Sequence, residues 1–166
     1  MVVMKKITHE RLHELFTYEA DTGIFTRKST GKIATSLHNG YVRIGIDYEE
    51  YRAHRLAYLY MTGEFPVGII DHINHVKTDN RWCNLREVTA QENSRNLSLY
   101  QSNSSNTTGV YWHHRDQQWV SFIYIDGKKK HLGCFREKDN AINARQKANI
   151  NYGFHENHGK NSTDIS

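Results

Sequence analysis

Hydrophobic and polar residues alternate with two different periods along the chain, which predicts a mixture of short helices and short strands. Residues 41–46 alternate with a period of two, the pattern of a half-exposed strand. Apolar residues at helical spacing follow Thr8 through about Phe16, with Thr8 as the expected N-cap. Residues 54–61 predict a second helix that ends at Gly63. Because all these segments are short, we expect a modest core.

The middle of the chain has the order strand, loop, strand, helix. Short apolar runs predict strands at 67–73 and 85–88, and the polar residues 74–80 form the loop after the first strand. Thr89-Ala90-Gln91-Glu92 has the form of a capping box, so a helix is expected to begin there. This order brings the polar residues of the segment into one supersecondary unit.

Four polar residues of this unit suit the hydrolysis of a phosphodiester: Asp71, His72, Asn84 and Asn93. The oxygens of Asp71 and Asn93 are ligands that Mg²⁺ accepts, because this ion prefers oxygen and keeps several waters. His72 can deprotonate a water near neutral pH. Taken singly, each residue also fits an ordinary structural role in a turn or at a helix start. Their conjunction, in this order, favours a metal-dependent nuclease.

The second half of the chain predicts a small sheet followed by a helix. Residues 98–108 are rich in Ser, Asn and Thr, and we interpret them as a linker. Beyond them, the pattern predicts strands at 109–112, 118–125 and 129–132, with a hairpin turn at Asp126-Gly127. Residues 137–150 are expected to form a helix whose alanine face can lie close to the sheet.

Charge and cysteine content narrow the classes of partner. The 166 residues contain 22 Lys and Arg against 18 Asp and Glu, and residues 104–150 alone contain eight against four. A basic excess confined to one module favours phosphate binding. Cys83 and Cys134 are far apart, which excludes a cysteine-rich zinc site. No apolar run reaches membrane-spanning length and no signal peptide is recognisable, so we expect a cytoplasmic protein without a membrane partner.

The middle segment resembles the HNH endonucleases of the phage and intron-homing type, over about residues 10–97. The resemblance rests on Asp71-His72-Ile73, Lys77-Thr78-Asp79-Asn80-Arg81, Asn84-Leu85-Arg86, Glu92-Asn93-Ser94-Arg95-Asn96 and the upstream Ala53-His54-Arg55-Leu56-Ala57. It implies a ββα-metal fold that cuts DNA to leave a 5′ phosphate and a 3′ hydroxyl. For a phage-encoded protein, the compartment would be the host cytoplasm.

The resemblance also implies a role for each residue of the motif. Asp71 and Asn93 would ligate a divalent cation, Mg²⁺ in the first instance and Mn²⁺ as the alternative. His72 would be the general base, and Asn84 would brace the loop between the strands and orient His72.

Two further histidines of this segment each have two possible roles. His75 stands where such loops commonly carry a small or flexible residue, and we prefer an incidental loop histidine to a phosphate contact. For His54 we prefer a structural role behind the site to a contact with DNA or with the leaving group.

The C-terminal module resembles the ethylene-response-factor (Apetala-two) type of DNA-binding domain, over about residues 107–149. The matching segments are Thr108-Gly109-Val110-Tyr111-Trp112, Trp119-Val120-Ser121 and His131-Leu132-Gly133-Cys134-Phe135. The resemblance implies that one sheet face contacts DNA through Tyr111, His113, Arg115, Phe122, Tyr124, Lys129 and His131. The three lysines at 128–130 could instead form a solvated hairpin tip, although the local positive charge favours contact with phosphate.

Three cations of the N-terminal strands have two possible roles, which are contact with DNA and exposure on an ordinary half-exposed sheet. These cations are Arg27, Lys32 and Arg43.

Together these features predict an α+β protein: a ββα-metal HNH module followed by a small three-stranded antiparallel sheet plus helix. The expected parts are a nuclease domain at 1–97 with its core motif at 53–97, a linker at 98–108, a DNA-binding domain at 109–150 and a tail at 151–166. The predicted function is metal-dependent hydrolysis of double-stranded DNA by a homing-type nuclease, without an obligatory protein partner. An inactive DNA-binding regulator is the main alternative. An RNA-cleaving nuclease is disfavoured, because side chains cannot read the narrow major groove of A-form RNA.

Overall fold

The structure is a computed structural model, and it describes residues 7–97, 99, 103, 105–161, 163 and 165. The chain forms two compact units, residues 1–89 and 90–166. This division falls before the helix that was predicted to complete the nuclease motif, so that helix belongs to the second unit. Across the described residues, no helix combines the length and apolar character needed to cross a membrane.

The first unit contains two helices of ordinary length and seven short strands in its described part. In chain order these are α1 (His9–Leu15), β1 (Phe16–Glu19), β2 (Ile24–Arg27), β3 (Ser36–His38), β4 (Tyr41–Ile46), β5 (Glu49–Arg52), α2 (Ala53–Thr62), β6 (Ile69–His72) and β7 (Leu85–Val88). A single 3₁₀ turn, Trp82–Asn84, precedes β7. The strands pair antiparallel as β1-β2, β3-β4-β5 and β6-β7.

Local signals set the ends of both helices. The Thr8 hydroxyl accepts a hydrogen bond from the backbone N of Arg11 at 3.2 Å, which begins α1 as predicted. Gly63 ends α2 in the left-handed conformation, with φ of 85°. Both helices present leucines to one core, which also contains side chains from five strands: Leu12, Phe16, Phe25, Ile44, Ile46, Leu56, Leu59, Ile70 and Leu85.

The sequence pattern missed β3 and β5. Every residue of β3 is exposed, and β5 alternates only between half-buried and exposed positions, so neither strand has the buried apolar face that the pattern detects. The turn between β4 and β5 consists of Asp47 and Tyr48, both with positive φ. Two such residues match the twist of a tight hairpin, but Asp-Tyr is not the usual sequence for one. The strand predicted at 67–73 is shorter, and Val67 is fully exposed.

The second unit contains the predicted sheet and helix. Its elements are α3 (Ala90–Ser94), β8 (Val110–His113), β9 (Gln118–Ile125), β10 (Lys128–Phe135) and α4 (Lys138–Asn151). The strands form one antiparallel sheet in the order β10-β9-β8. Asp126 and Gly127 link β9 to β10, both with positive φ, so the hairpin prediction is confirmed.

One arginine beneath this sheet was not foreseen. Arg145 is buried on the α4 face that also carries the buried alanines Ala141 and Ala148. Its Nη1 donates to the backbone oxygen of Phe122 at 2.7 Å, one residue beyond the Val110–Ser121 pair of the β8-β9 register. A Cβ at Gly109 would collide with that guanidinium and that oxygen, which explains the glycine of the Thr-Gly-Val segment.

The predicted linker lies partly outside the described residues, which include only 99, 103 and 105–108 of it. Within that part, Ser105 is buried, and its hydroxyl donates to the backbone oxygen of Val110 at 2.6 Å. Asn103 accepts from the backbone N of Ser105 at 2.9 Å. This end of the segment is therefore packed against the first strand of the sheet.

Candidate functional site

The β6-β7 hairpin positions Asp71 and His72. Its register pairs Asp71 with Arg86 and His72 with Leu85. Neighbouring strand residues point to opposite faces, so the carboxylate and the imidazole leave the strand in different directions. Both side chains are nevertheless buried, at 9% and 6% exposure.

Asp71 forms an ion pair with its cross-strand partner Arg86. The guanidinium of Arg86 donates from Nε at 3.1 Å and from Nη2 at 2.8 Å, both to Oδ2 of Asp71. A buried carboxylate needs such compensation, because removing a charge from water is costly. The sequence motif implied no role for Arg86.

A hydrogen bond to Asn80 fixes the proton of the His72 imidazole. The Nδ2 of Asn80 donates to the backbone oxygen of Thr78 at 3.2 Å, which turns its Oδ1 towards Nε2 of His72 at 3.3 Å. Since Oδ1 can only accept, Nε2 carries the hydrogen and Nδ1 keeps a lone pair. Burial lowers the pKa of His72, and the bond to Asn80 partly opposes this shift. His72 is therefore neutral at pH 7, with Nδ1 as its basic atom.

Two hydrogen bonds of Asn84 hold the loop between β6 and β7. Its Oδ1 accepts from the backbone N of Asn74 at 3.0 Å, and its Nδ2 donates to the backbone oxygen of Asp79 at 2.8 Å. The two bonds join both ends of the loop to the residue that precedes β7. Asn84 is thus linked to His72 through the loop backbone, whereas the direct contact with the imidazole comes from Asn80.

The β1-β2 hairpin supports the same loop from outside the motif. The hydroxyl of Tyr18 donates to the backbone oxygen of Asn80 at 2.6 Å. Gly23 lies against the backbone of Asn80 and Arg81 so closely that a Cβ would collide with it. The residue that holds His72 is therefore itself held by the N-terminal part of the unit.

His75 has a strained backbone in this loop. Its φ is 62°, a region that glycine and asparagine adopt more easily. Its backbone N donates to the backbone oxygen of His72 at 3.0 Å. This backbone conformation favours a small or flexible residue at position 75.

His54 lies on α2 directly behind His72. The two rings meet edge to face with centroids 5.0 Å apart, and His54 is only 3% exposed. Its Nδ1 is buried and has no hydrogen-bond partner among the described residues. Burial, followed by the charges of His72, Arg52 and Arg55, lowers the pKa of His54 to about 3. His54 is therefore a neutral packing partner of the candidate base.

This burial predicts a pH-dependent stability. The unfolded chain protonates His54 near pH 6.5, whereas the folded protein resists protonation down to about pH 3. The unfolding free energy should therefore fall as the pH drops below about 6.5, by up to about 1.4 kcal/mol per pH unit for this group. Urea denaturation at several pH values measures the slope. His54→Phe should flatten it, the exposed control His38→Ala should not, and an unchanged slope in His54→Phe would contradict the assignment.

The donors on β6 fit a hydrated hard cation better than a soft-metal cage. Among the described residues, no group of three or more His, Cys, Asp and Glu side chains converges. A single carboxylate, from Asp71, suits Mg²⁺ because this ion retains several waters and takes few protein ligands. The predicted second ligand, Asn93, lies on α3 in the second unit. Its role as a ligand stays a prediction.

Six of the seven side chains predicted to contact DNA lie on one face of the β8-β9-β10 sheet. The register places Tyr111 beside Val120, His131 beside Phe122 and Lys129 beside Tyr124 on the face opposite α4, and His113 and Gln118 share that face. The ammonium of Lys129 lies 4.1 Å from the centroid of the Phe122 ring. Arg115 lies in the turn between β8 and β9. This aromatic and basic surface is called the sheet face below.

Two of the three N-terminal cations that were considered as DNA contacts make contacts within the protein instead. Arg27 lies over the ring of Phe16 at 4.5 Å and donates to the backbone oxygen of Gly45 at 2.7 Å. Arg43 pairs with Glu50 at 3.0 Å. These contacts favour the ordinary sheet interpretation for both residues, while Lys32 is exposed.

Comparison with known proteins bears on the β6-β7 segment. No curated protein and no solved structure matched the chain. Residues 51–95 match the protein-family model described as HNH endonuclease, and this match supports a nuclease for the part of the chain that carries Asp71, His72 and Asn84.

Proposed function

We propose that this protein is a metal-dependent endonuclease that hydrolyses phosphodiester bonds in double-stranded DNA. The observation that carries the proposal is the buried Asp71–His72 pair at the end of β6, within a segment that matches the HNH endonuclease model. The hydrogen bond from His72 Nε2 to Asn80 supports it, because it leaves Nδ1 as a proton acceptor at neutral pH.

The chain's own residues account for activation of the nucleophile. Nδ1 of His72 accepts a proton from a water, whose oxygen then attacks phosphorus in line with the 3′ oxygen. The new bond joins the water oxygen to phosphorus, and the bond from phosphorus to the 3′ oxygen breaks. The leaving oxygen takes a proton from solvent, which gives a 5′ phosphate and a 3′ hydroxyl. A divalent cation, held by Asp71 with Asn93 as the predicted second ligand, would neutralise charge on the phosphate and the leaving oxygen.

The sheet face supplies a candidate surface for DNA affinity. Its aromatic rings and Lys129 can contact sugars, bases and phosphates, and a three-stranded sheet is narrow enough to enter a major groove. A second binding unit on the same chain raises the local concentration of the nuclease at its target. This arrangement suits a site-directed, homing-type enzyme.

Incubation of the full chain with plasmid and phage DNA, with Mg²⁺ or with a chelator, tests the proposal. We expect nicked or linear products only with the metal, and their ends should be ligatable because they carry a 5′ phosphate and a 3′ hydroxyl. An RNA duplex of the same length should stay intact. DNA binding without cleavage, in Mg²⁺ and Mn²⁺ and on DNA that includes a plausible target, would instead identify an inactive DNA-binding regulator.

A further inference from the structure

Two cations of the first unit lie over one aromatic ring beside His72. The guanidinium carbon of Arg52, at the end of β5, is 4.7 Å from the centroid of the Tyr41 ring. The ammonium of Lys77, in the loop after β6, is 5.0 Å from the same centroid. The Tyr41 ring is 6.0 Å from the ring of His72 and 5.3 Å from that of His54. Three separate segments thus bring two positive charges to the candidate base.

Among the residues that the structure describes, neither cation has an acidic partner. Within the described part of the chain, ion pairs form at Arg11, Arg43, Arg81 and Arg86 but not at Arg52 or Lys77. Both side chains are exposed. Like charges that share one ring repel each other, and an exposed cation–π contact stabilises a fold only weakly. Arg52 and Lys77 are therefore better suited to binding an anion than to stabilising the fold.

The charge of the pair suits the backbone of DNA. A phosphodiester carries one negative charge and several acceptor oxygens, which Arg and Lys donors match. A group bound on the Tyr41 platform would lie next to His72, where a strand must pass in order to be cut. Arg81, the other cation of the loop, is already held by two hydrogen bonds to Asp79.

We propose that Arg52 and Lys77, supported by the Tyr41 ring, bind one backbone phosphate of the strand that is to be cut. The inference rests on the proposed nuclease function and adds the surface that positions the substrate beside His72. The two residues are positioning residues, because neither is assigned a part in bond making or breaking.

The salt dependence of DNA binding tests the proposal without requiring cleavage. Binding of the full chain to a fluorescent DNA duplex is measured in chelator over a range of salt concentrations. Removal of one phosphate contact lowers the slope of log affinity against log salt by about 1. Arg52→Gln and Lys77→Gln should each do so, and the double variant should lose less than the sum because both bind the same phosphate.

Matched variants distinguish the loss of this phosphate site from a general loss of positive charge. Lys28→Gln removes an exposed cation of the same unit that is not among the candidate DNA contacts, and it should keep the wild-type slope. Tyr41→Phe preserves the ring and should also behave as wild type, whereas Tyr41→Leu should lower the slope because the platform is lost. Thermal melting checks that each variant is folded.

The outcomes distinguish this proposal from the nuclease proposal. Unchanged slopes for Arg52→Gln and Lys77→Gln, or an equal loss in Lys28→Gln, would overturn the phosphate site even if the protein cuts DNA. Absence of DNA binding by the wild-type chain would overturn it as well. Lower slopes in a protein that cuts no DNA with any metal would support the phosphate site and reject the nuclease.

Discussion

Replacing His72 with alanine should slow DNA cleavage by about 10²–10⁴-fold, the usual contribution of a general base. The loss is expected because Nδ1 of His72, set by the Nε2 bond to Asn80, is the proposed acceptor of the proton from water. Affinity for DNA should change little, since the proposed phosphate contacts come from other residues. Single-turnover cleavage with Mg²⁺, measured beside binding in chelator, separates the two effects.

His75→Ala is the matched control for His72→Ala. His75 is an imidazole of the same loop, and its backbone N already donates to the backbone oxygen of His72. This variant should cut DNA at nearly the wild-type rate. An equal loss in both variants would move the base to His75 or show that either change collapses the loop, and thermal melting would tell these apart.

Asp71→Asn should lower cleavage by about 100-fold or more, because a neutral amide cannot supply the charge that holds the cation against a phosphate. The effect should persist as Mg²⁺ is raised to millimolar concentrations. Asp71→Asn also removes the counter-charge of Arg86, so the variant should lose stability as well. Cleavage is therefore measured over a metal titration, with the melting temperature recorded for the same sample.

Variants of Arg86 separate metal binding from stability. In Asp71→Asn/Arg86→Gln no charge is left unpaired, so the melting temperature should partly recover while cleavage stays low. Arg86→Gln alone should keep cleavage and reach its half-maximal rate at lower Mg²⁺, because Oδ2 of Asp71 is no longer shared with a guanidinium. Wild-type metal dependence in Asp71→Asn would refute Asp71 as a ligand.

The sequence predicted those elements of the fold that have a strong local signal. The Thr8 cap, the Gly63 helix end and the Asp126-Gly127 turn are all present where the residues indicated. It failed for β3 and β5, which have no buried apolar face and form through pairing with β4. Arg145 was also missed, because an arginine at a helical core position looks like an interruption of the alanine face until its bond to Phe122 is seen.

For the candidate site, the motif identified Asp71, His72 and Asn84, and the structure brings all three into the β6-β7 hairpin and its loop. Their partners were harder to find. Arg86 meets Asp71 through strand register, and Asn80 meets His72 across a loop whose path no local rule fixes. Tyr41 comes from a different sheet. None of these three contacts follows from a local sequence pattern, because each joins residues that only the fold brings together.

The contacts of Tyr18 and Gly23 with the Asn80 segment have a consequence for using the matched segment in fusion proteins. A fragment cut at the boundaries of the matching segment, residues 51–95, would carry Asp71, His72 and Asn84 but not the hairpin that supports their loop. Such a fragment would keep the candidate site residues but lose the contacts that hold their loop in place. The smallest fragment that keeps this support therefore begins upstream of β1. The structural unit is thus longer than the segment that matches the family model.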